Sequence, residues 1–267
     1  MNDARFMYRF ARFVAAIVLS AVAATAAQAQ TTAEIVKRGK VMIGVVSGAP
    51  PFGTTDAQGN PSGYDVDVAA LVAKYLGVPA EIVPLTPPSR IPALESGKVD
   101  FLIATLAPTP ERARTVMFTI PYSAFELTIF APVASKFGNL QDLSKKKVGV
   151  TRGATQDAAL TRLAIPGTTI VRFEDDATSA QALISNQVDA VALPSTTGVE
   201  IMKARGAGKF DAKFPFSLQP NSMTVRKDAF ELHQWLNNTI YYIKLNGELD
   251  AIARKWTGSA LPTLPTF

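Results

Sequence analysis

Residues 100–112 read Asp-Phe-Leu-Ile-Ala-Thr-Leu-Ala-Pro-Thr-Pro-Glu-Arg, an apolar run that leads directly into a predicted helix start. The run at 101–104 is short and wholly apolar, which is typical of a parallel strand covered on both faces. Thr109 followed by Pro110 predicts an N-cap with proline at the first helical position. Free backbone N–H groups at such a start, together with the Arg112 guanidinium, suit a carboxylate or phosphate. The turn is therefore a candidate anion site.

Strands and helices alternate on the N-terminal side of this stretch. Residues 41–46 predict a strand that ends in a turn rich in glycine and proline. An amphipathic run at 66–76 predicts a helix with Asp65 as its N-cap, and residues 80–84 predict the next strand. This alternation indicates an α/β protein with a parallel sheet and helices on its faces.

Two internal similarities indicate that the pattern occurs twice. Residues 43–49 resemble 148–154, since both are a strand that runs into a glycine turn, and residues 92–100 resemble 181–189. Two similar α/β lobes follow, with equivalent loops at the carboxyl ends of their strands, where ligands bind in open α/β sheets. A ligand cleft between the lobes is therefore expected.

The N-terminus has the features of a secretory signal peptide. Arg5, Arg9 and Arg12 precede a small and apolar run at 13–27, and an Ala-x-Ala cleavage signature ends at Ala29. A membrane anchor is the alternative, but the run is too short and too rich in alanine to span a bilayer comfortably. The chain has no cysteine, which excludes a lipobox anchor, disulfides and thiolate metal sites. Export with cleavage after Ala29 is expected.

Charge and composition argue against several other classes of function. The formal net charge of +5 is scattered, and its longest basic run, residues 145–147, is typical of a solvated turn rather than a nucleic-acid site. The single histidine, His233, has no cysteine or carboxylate partner at ligand spacing. We therefore expect no nucleic-acid partner, no metal and no cofactor.

Several motifs, in order along the chain, resemble the family 3 solute-binding proteins, which serve ATP-binding-cassette importers of polar amino acids. These motifs lie at residues 44–52, 63–69, 91–100, 109–113, 118–122, 147–150 and 247–256. The resemblance implies an α/β bilobal periplasmic-binding-protein fold, with two parallel-rich sheets flanked by helices and joined by two hinge strands.

The resemblance also implies a division of the chain. Residues 1–29 are the signal peptide, residues 30–126 and 224–267 form lobe 1, and residues 127–223 form an inserted lobe 2. The two crossings between the lobes are expected near 127–132 and 220–226.

In this family the ligand's α-carboxylate is held by an arginine that matches Arg112 and by groups matching Thr105 and Ala107. The second lobe contributes the turn matching Thr155 and Gln156. Ala107 stands where a hydroxyl is common, so only its N–H is available to an anion.

Five further residues complete the expected ligand site. Arg90 matches the arginine that acidic-amino-acid binders of the family use, and Arg152 in the facing turn would add a second positive charge. Guanidinium groups of this kind favour an anionic ligand. Ser47 and Phe52 lie in the turn after the first strand, and Pro194 ends the strand that contributes to the other wall.

Pro194 also marks the main departure from the family pattern. It stands where the family usually has the aspartate that pairs with the ligand's α-ammonium, a charge-assisted bond worth about 1.5–3 kcal/mol. Glu126 and Glu174 are the alternative partners for that ammonium. Ala49 and Pro87 replace the aromatic rings of cationic-amino-acid binders, which argues against stacking on a guanidinium.

The expected function is a monomeric, soluble periplasmic receptor that captures a small carboxylate-bearing solute and delivers it to the membrane subunits of an importer. An amino acid, with an acidic one suggested by Arg90, is the preferred ligand. A receptor for a non-amino organic acid is the first alternative. The second is an exported lyase resembling the periplasmic cyclohexadienyl dehydratases, and the third is a detached sensor domain of a signalling protein.

Overall fold

The computed structural model of the protein describes residues 30–206 and 208–261. The predicted signal peptide at 1–29 and its cleavage site lie outside these residues. Within the described ranges, every helix is too short or too polar to cross a bilayer.

Helices and strands alternate along most of the described chain. The helices are α1 (Thr32–Arg38), α2 (Tyr64–Leu76), α3 (Arg90–Glu95), α4 (Thr155–Leu163), α5 (Asp176–Ile184), α6 (Ser195–Arg205), α7 (Phe230–Leu245) and α8 (Glu248–Thr257). The strands are β1 (Val41–Val46), β2 (Thr54–Thr55), β3 (Pro61–Ser62), β4 (Ala80–Leu85), β5 (Phe101–Leu106), β6 (Val116–Pro132), β7 (Lys147–Thr151), β8 (Thr169–Phe173), β9 (Ala190–Pro194) and β10 (Phe210–Arg226). The α/β class predicted from the alternation is confirmed.

Eight strands form one sheet in the order β4-β1-β5-β10-β6-β9-β7-β8. β1 pairs in parallel with β4 and β5, and β7 pairs in parallel with β8 and β9. β10 and β6 run antiparallel to each other and to the strands beside them. Each half of the sheet therefore has the same arrangement, in agreement with the internal similarity of the sequence around β1 and β7.

The long strands β6 and β10 join the two halves. Each has 17 residues, and they pair from Val116 with Arg226 to Pro132 with Phe210. β6 continues through Pro121, a residue that has no backbone N–H to donate. In the structure Pro121 lies where the register of the ladder shifts, which tolerates a residue that cannot donate a hydrogen bond. The two predicted sheets are thus hydrogen-bonded into one.

The buried apolar side chains divide between the halves in the same way. One large cluster draws on residues 35–127 and 223–253, and two smaller clusters draw on residues 129–202. The boundary between the large cluster and the two smaller ones therefore lies within the two long strands, beside the predicted crossings. The lobe boundaries themselves stay a proposal.

Two of the predicted helix starts are wrong. Only a single 3-10 turn, Arg112–Arg114, follows Pro110, because the chain enters β6 at Val116. Thr109 Oγ1 accepts from the Arg112 N–H at 3.3 Å, but no helix continues behind it to supply a dipole. Helix α2 begins at Tyr64 with Gly63 as its N-cap, so the predicted cap Asp65 lies inside the helix, and its buried side chain serves another purpose.

Candidate functional site

A small cavity lies between the two halves of the molecule, near the carboxyl ends of β1, β5 and β9. Its volume of about 20 Å³ has room for roughly one water molecule. Both halves contribute to its lining, which consists of Val46, Pro87, Arg90, Thr105, Phe125, Ala154, Thr155, Gln156, Asp176, Pro194 and Gln219. This is the position at which open α/β sheets bind ligands.

Arg112 lies at the edge of this cavity and links its two walls. Nη1 donates to the Ala107 carbonyl at 3.0 Å and to Thr155 Oγ1 at 3.3 Å, and Nη2 donates to the Gly153 carbonyl at 2.9 Å. Ala107 belongs to the first half, whereas Gly153 and Thr155 belong to the second. One guanidinium therefore contacts two of the residues predicted for a carboxylate site, Ala107 and Thr155.

Arg90 supplies a positive charge inside the cavity. It is buried, and its guanidinium donates to backbone carbonyls of Pro87 at 3.0 Å, Ala104 at 2.7 Å and Thr105 at 3.2 Å. Burial, with a further contribution from the nearby Arg112, lowers the pKa of Arg90 to about 9. The side chain is thus cationic at neutral pH, and no carboxylate among the described residues forms an ion pair with it.

Asp176, at the first position of α5, supplies a negative charge to the opposite wall. Its Oδ1 accepts from Thr151 Oγ1 and, at 3.2 Å, from Gln156 Nε2, whereas neither hydroxyl nor amide donates to Oδ2. Burial raises the pKa of this carboxyl to about 6, and the positive charge of Arg90 partly opposes that rise. At neutral pH the cavity therefore presents an anion and a cation on facing walls.

The sequence interpretation missed Asp176, although the internal similarity could have found it. Residues 92–100 resemble 181–189, and the same offset makes Asp176 the counterpart of Pro87 in the repeat. Both residues line the cavity. Gln219, in the middle of β10, gave no signal of this kind. It is a buried polar residue in a strand whose pattern does not identify the cavity side.

The other predicted site residues occupy different positions. Pro194 lines the cavity at the end of β9. Ser47 is half-buried beside the cavity, and its Oγ donates to the Leu85 carbonyl at 3.2 Å. Phe52 lines a neighbouring cavity and packs against Phe125, with ring centroids 5.1 Å apart. Arg152 is exposed and lies outside the lining.

The two carboxylates considered as replacements at Pro194 do not reach the cavity. Glu126 is exposed on β6. Glu174 accepts a hydrogen bond from Thr86 Oγ1 at 2.8 Å, at the outer edge between the two halves. Asp176 is instead the carboxylate that lines the wall next to Pro194.

The outer edges of the cavity are in contact. The Ala177 N–H donates to the Gly48 carbonyl at 3.0 Å, and the Thr86–Glu174 hydrogen bond lies on the same side. Together with Arg112, these bonds connect the two halves around the cavity. The structure is therefore that of a closed cleft.

The described part of the chain contains no cluster of three or more histidine, cysteine or carboxylate residues that could hold a metal ion. His233 lies on α7, with Nε2 2.8 Å from the Phe118 carbonyl oxygen, and does not line the cavity.

Comparison with known proteins gives a family match. Residues 41–259 match the family described as bacterial extracellular solute-binding proteins, family 3. The L-cystine-binding protein TcyJ of Escherichia coli is 26% identical over 228 residues, which is 85% of this chain and 85% of that protein.

Two solved structures with a similar fold are each 33% identical to this chain in sequence. An ancestral arginine-binding protein bound to arginine superposes with a TM-score of 0.79 and 33% identity, over 82% of this chain and 98% of that chain. The ancestral amino acid-binding protein AncCDT-1, described as a precursor of cyclohexadienyl dehydratase, gives a TM-score of 0.79 and 33% identity over 85% and 100%. The bilobal fold expected from the sequence is confirmed by these similarities.

Proposed function

Because the chain belongs to family 3 of the bacterial extracellular solute-binding proteins, we propose that it is the ligand receptor of an ABC importer and closes on a small α-amino acid. The observation that carries this proposal is the pair of opposite charges, Arg90 and Asp176, that face one cavity between the two halves. An amino acid with an acidic side chain carries the complementary charges, an ammonium group for Asp176 and a side-chain carboxylate for Arg90. The family and its named relatives support the same class of ligand.

The carboxylate end of the ligand is assigned to Arg112 and Thr155. The Arg112 guanidinium now donates to two backbone carbonyls and one hydroxyl. A carboxylate is a stronger acceptor than a carbonyl for a guanidinium fork, so exchange of these partners is favourable. Thr155 Oγ1 already lies within hydrogen-bonding distance of Arg112, which allows both groups to bind the same anion.

The ammonium end of the ligand is assigned to Asp176. Its Oδ1 is occupied by Thr151 and Gln156, so Oδ2 is the oxygen that can accept from an ammonium group. This would replace the aspartate that is missing at Pro194. With two guanidinium groups and one carboxylate, the site has an excess positive charge, which favours an amino acid with an acidic side chain.

Binding requires the two halves to separate and close again. A cavity of about 20 Å³ cannot hold an amino acid, so the ligand has to enter an open cleft. The ligand-bound form then closes around a larger cavity than this one, and it is stabilised because the ligand contacts both walls at once. No chemical step is needed for this role.

The remaining features of the proposal concern place and partners. Export with removal of residues 1–29 would release a monomeric receptor into the periplasm, where it would meet the membrane subunits of its importer. The description of the matched family as extracellular supports export.

Isothermal titration calorimetry with L-glutamate and glutarate tests the assignment, because the two molecules differ only in the α-ammonium group. We expect wild-type protein to bind L-glutamate at least about tenfold more tightly than glutarate, since one charge-assisted hydrogen bond is worth about 1.5–3 kcal/mol. Asp176→Asn should remove most of this difference. Glu95→Gln, which removes the same charge from an exposed position, should leave it unchanged.

Equal affinity for L-glutamate and glutarate would contradict the ammonium assignment and favour the organic-acid receptor. Absence of binding to either would contradict the acidic preference. A thermal-shift screen that includes L-glutamine, L-arginine and L-cystine then decides whether a different amino acid is the ligand, because ligand at 100 times its Kd stabilises by about 2.7 kcal/mol.

A second function, that of an exported lyase, is favoured by one observation. A buried carboxyl with a pKa raised to about 6 is suited to general acid catalysis at neutral pH. The similarity to AncCDT-1 points to the same chemistry only through that protein's description. Incubation with prephenate or arogenate distinguishes the two functions, since turnover that is lost in Asp176→Asn would establish the enzyme and no turnover would leave the receptor.

A further inference from the structure

Thr105, which lines the cavity, has a strained backbone. Its φ of 46° lies in the left-handed region, which a β-branched residue rarely adopts and which costs roughly 1–3 kcal/mol. The strain coincides with an irregularity in the sheet. The β5–β10 register shifts between Leu106 opposite Ser222 and Leu102 opposite Thr224, so β5 has a bulge at this point.

Both backbone groups of Thr105 are held by side chains rather than by the sheet. Its N–H donates to Tyr122 Oη at 3.0 Å. Its carbonyl accepts from Gln219 Nε2 at 3.0 Å and from Arg90 Nη1 at 3.2 Å. The same residue therefore connects β6 and β10 with the cation of the cavity.

Tyr122 is itself oriented by a second buried residue. A tyrosine hydroxyl carries one proton, and because Tyr122 Oη accepts from Thr105, its own O–H has to donate elsewhere. It donates to Asp65 Oδ1 at 2.8 Å. Asp65 is fully buried, and its Oδ2 has no hydrogen-bond partner among the described residues. Neither Asp65 nor Tyr122 lines the cavity.

We propose that Tyr122 and Asp65 are positioning residues for ligand binding, which act by holding Thr105 in its left-handed conformation so that its carbonyl fixes the Arg90 guanidinium in the cavity. The inference rests on the proposed function for the identity of the ligand. The contacts from Asp65 through Tyr122 and Thr105 to Arg90 rest on the geometry alone. The inference gives a ligand-linked purpose to a buried carboxyl at the start of α2 that lies outside the cavity lining.

A double-mutant cycle tests this inference. Glycine adopts a positive φ without strain, so Thr105→Gly should make the support from Tyr122 unnecessary. We expect Tyr122→Phe alone to weaken L-glutamate binding about tenfold, the effect of one hydrogen bond. In the Thr105→Gly background the same substitution should weaken it by less than about threefold.

Tyr64→Phe is the matched control. The Tyr64 ring stacks on Tyr122 with centroids 6.1 Å apart, and its hydroxyl donates to the Tyr122 carbonyl at 3.0 Å, outside the chain of contacts to Thr105. It should leave L-glutamate affinity within about twofold of wild type, because its hydroxyl bonds the Tyr122 carbonyl and not the Thr105 amide. Equal effects of Tyr122→Phe in both backgrounds, or an equal effect of Tyr64→Phe, would overturn the inference.

Amide hydrogen exchange at residues 104–106 gives a measurement that does not depend on the ligand. Exchange of the Thr105 amide should be faster in Tyr122→Phe and in Asp65→Leu, which has no acceptor for Tyr122, than in wild type and Tyr64→Phe. Unchanged exchange in both variants would overturn the inference. If wild type does not bind L-glutamate but exchange responds as expected, the proposed ligand is wrong and the positioning contacts stand.

Discussion

At the scale of single residues, the cavity depends on charges placed in buried positions. Asp176 is 5% exposed and Arg90 is 3% exposed, so the charged form of each side chain is destabilised by its removal from water. The penalty is visible in both pKa values, since that of Asp176 rises and that of Arg90 falls. Such groups are costly for stability, and a ligand that carries the opposite charges offsets the cost.

Asp176→Asn should therefore stabilise the empty protein in a pH-dependent way. The rise in the pKa of Asp176 from 3.8 to about 6 corresponds to roughly 3 kcal/mol. Because the folded protein binds the proton more tightly than the unfolded chain, wild type loses this stability as the pH rises from about 4 to about 6. The gain from Asp176→Asn should be small at pH 3.5 and close to its full value at pH 7.5.

Urea unfolding of both proteins across this pH range measures the difference. A gain that is the same at pH 3.5 and pH 7.5 would show that the effect comes from the changed side chain and not from its ionisation. Glu95→Gln serves as the reference for removal of an exposed negative charge.

At the scale of the elements, close packing of helices on the sheet fixes the second half. Helix α6 places Gly198 directly on the ring of Phe130 in β6, where a Cβ would overlap the ring. A buried glycine in the middle of a helix is unfavourable by about 1 kcal/mol relative to alanine, so contact with the sheet is the reason it is needed here.

Gly198→Ala should destabilise the protein in spite of its better helix propensity. Overpacking of a buried contact costs about 1–3 kcal/mol, which exceeds the gain of about 1 kcal/mol from propensity. In a Phe130→Leu background the ring is absent, so the same substitution should become neutral or stabilising. Unfolding free energies of the four proteins measure this reversal, and a loss of equal size in both backgrounds would contradict it.

At the scale of the whole molecule, the two halves meet along a few polar contacts and are joined by two long strands. Gly48, with φ of 68°, lies at the edge of the cleft, and a Cβ there would be 2.7 Å from the Asp175 carboxyl group. Its carbonyl accepts from the Ala177 N–H across the cleft. The closed form therefore requires a residue without a side chain at this position.

Gly48→Ala should prevent full closure. Gly97→Ala is the matched control, because Gly97 has a similar φ of 72° and no atom within 4 Å of its added Cβ. Both substitutions should cost about 1 kcal/mol of stability through backbone strain. Only Gly48→Ala should increase the radius of gyration in small-angle X-ray scattering, and equal radii for the two variants would contradict the closure contact.

The sequence alone was sufficient for the α/β class, the order of most elements and the internal repeat. These follow from local features: short apolar runs, glycine and proline at turns, and periodic apolar residues in helices. It also identified Arg90, Thr105, Thr155, Gln156 and Pro194, which all line the cavity, although their roles in ligand binding stay a proposal.

Only the tertiary structure decided the character of the site. The helix predicted after Pro110 does not form, because β6 pairs with β10 from Val116 onward and leaves no room for one. Asp65 is not a cap but a buried partner of Tyr122, and Asp176 rather than Glu126 or Glu174 reaches the cavity. These outcomes depend on contacts between residues far apart in the chain, and local sequence patterns contain no information about which distant side chains become neighbours.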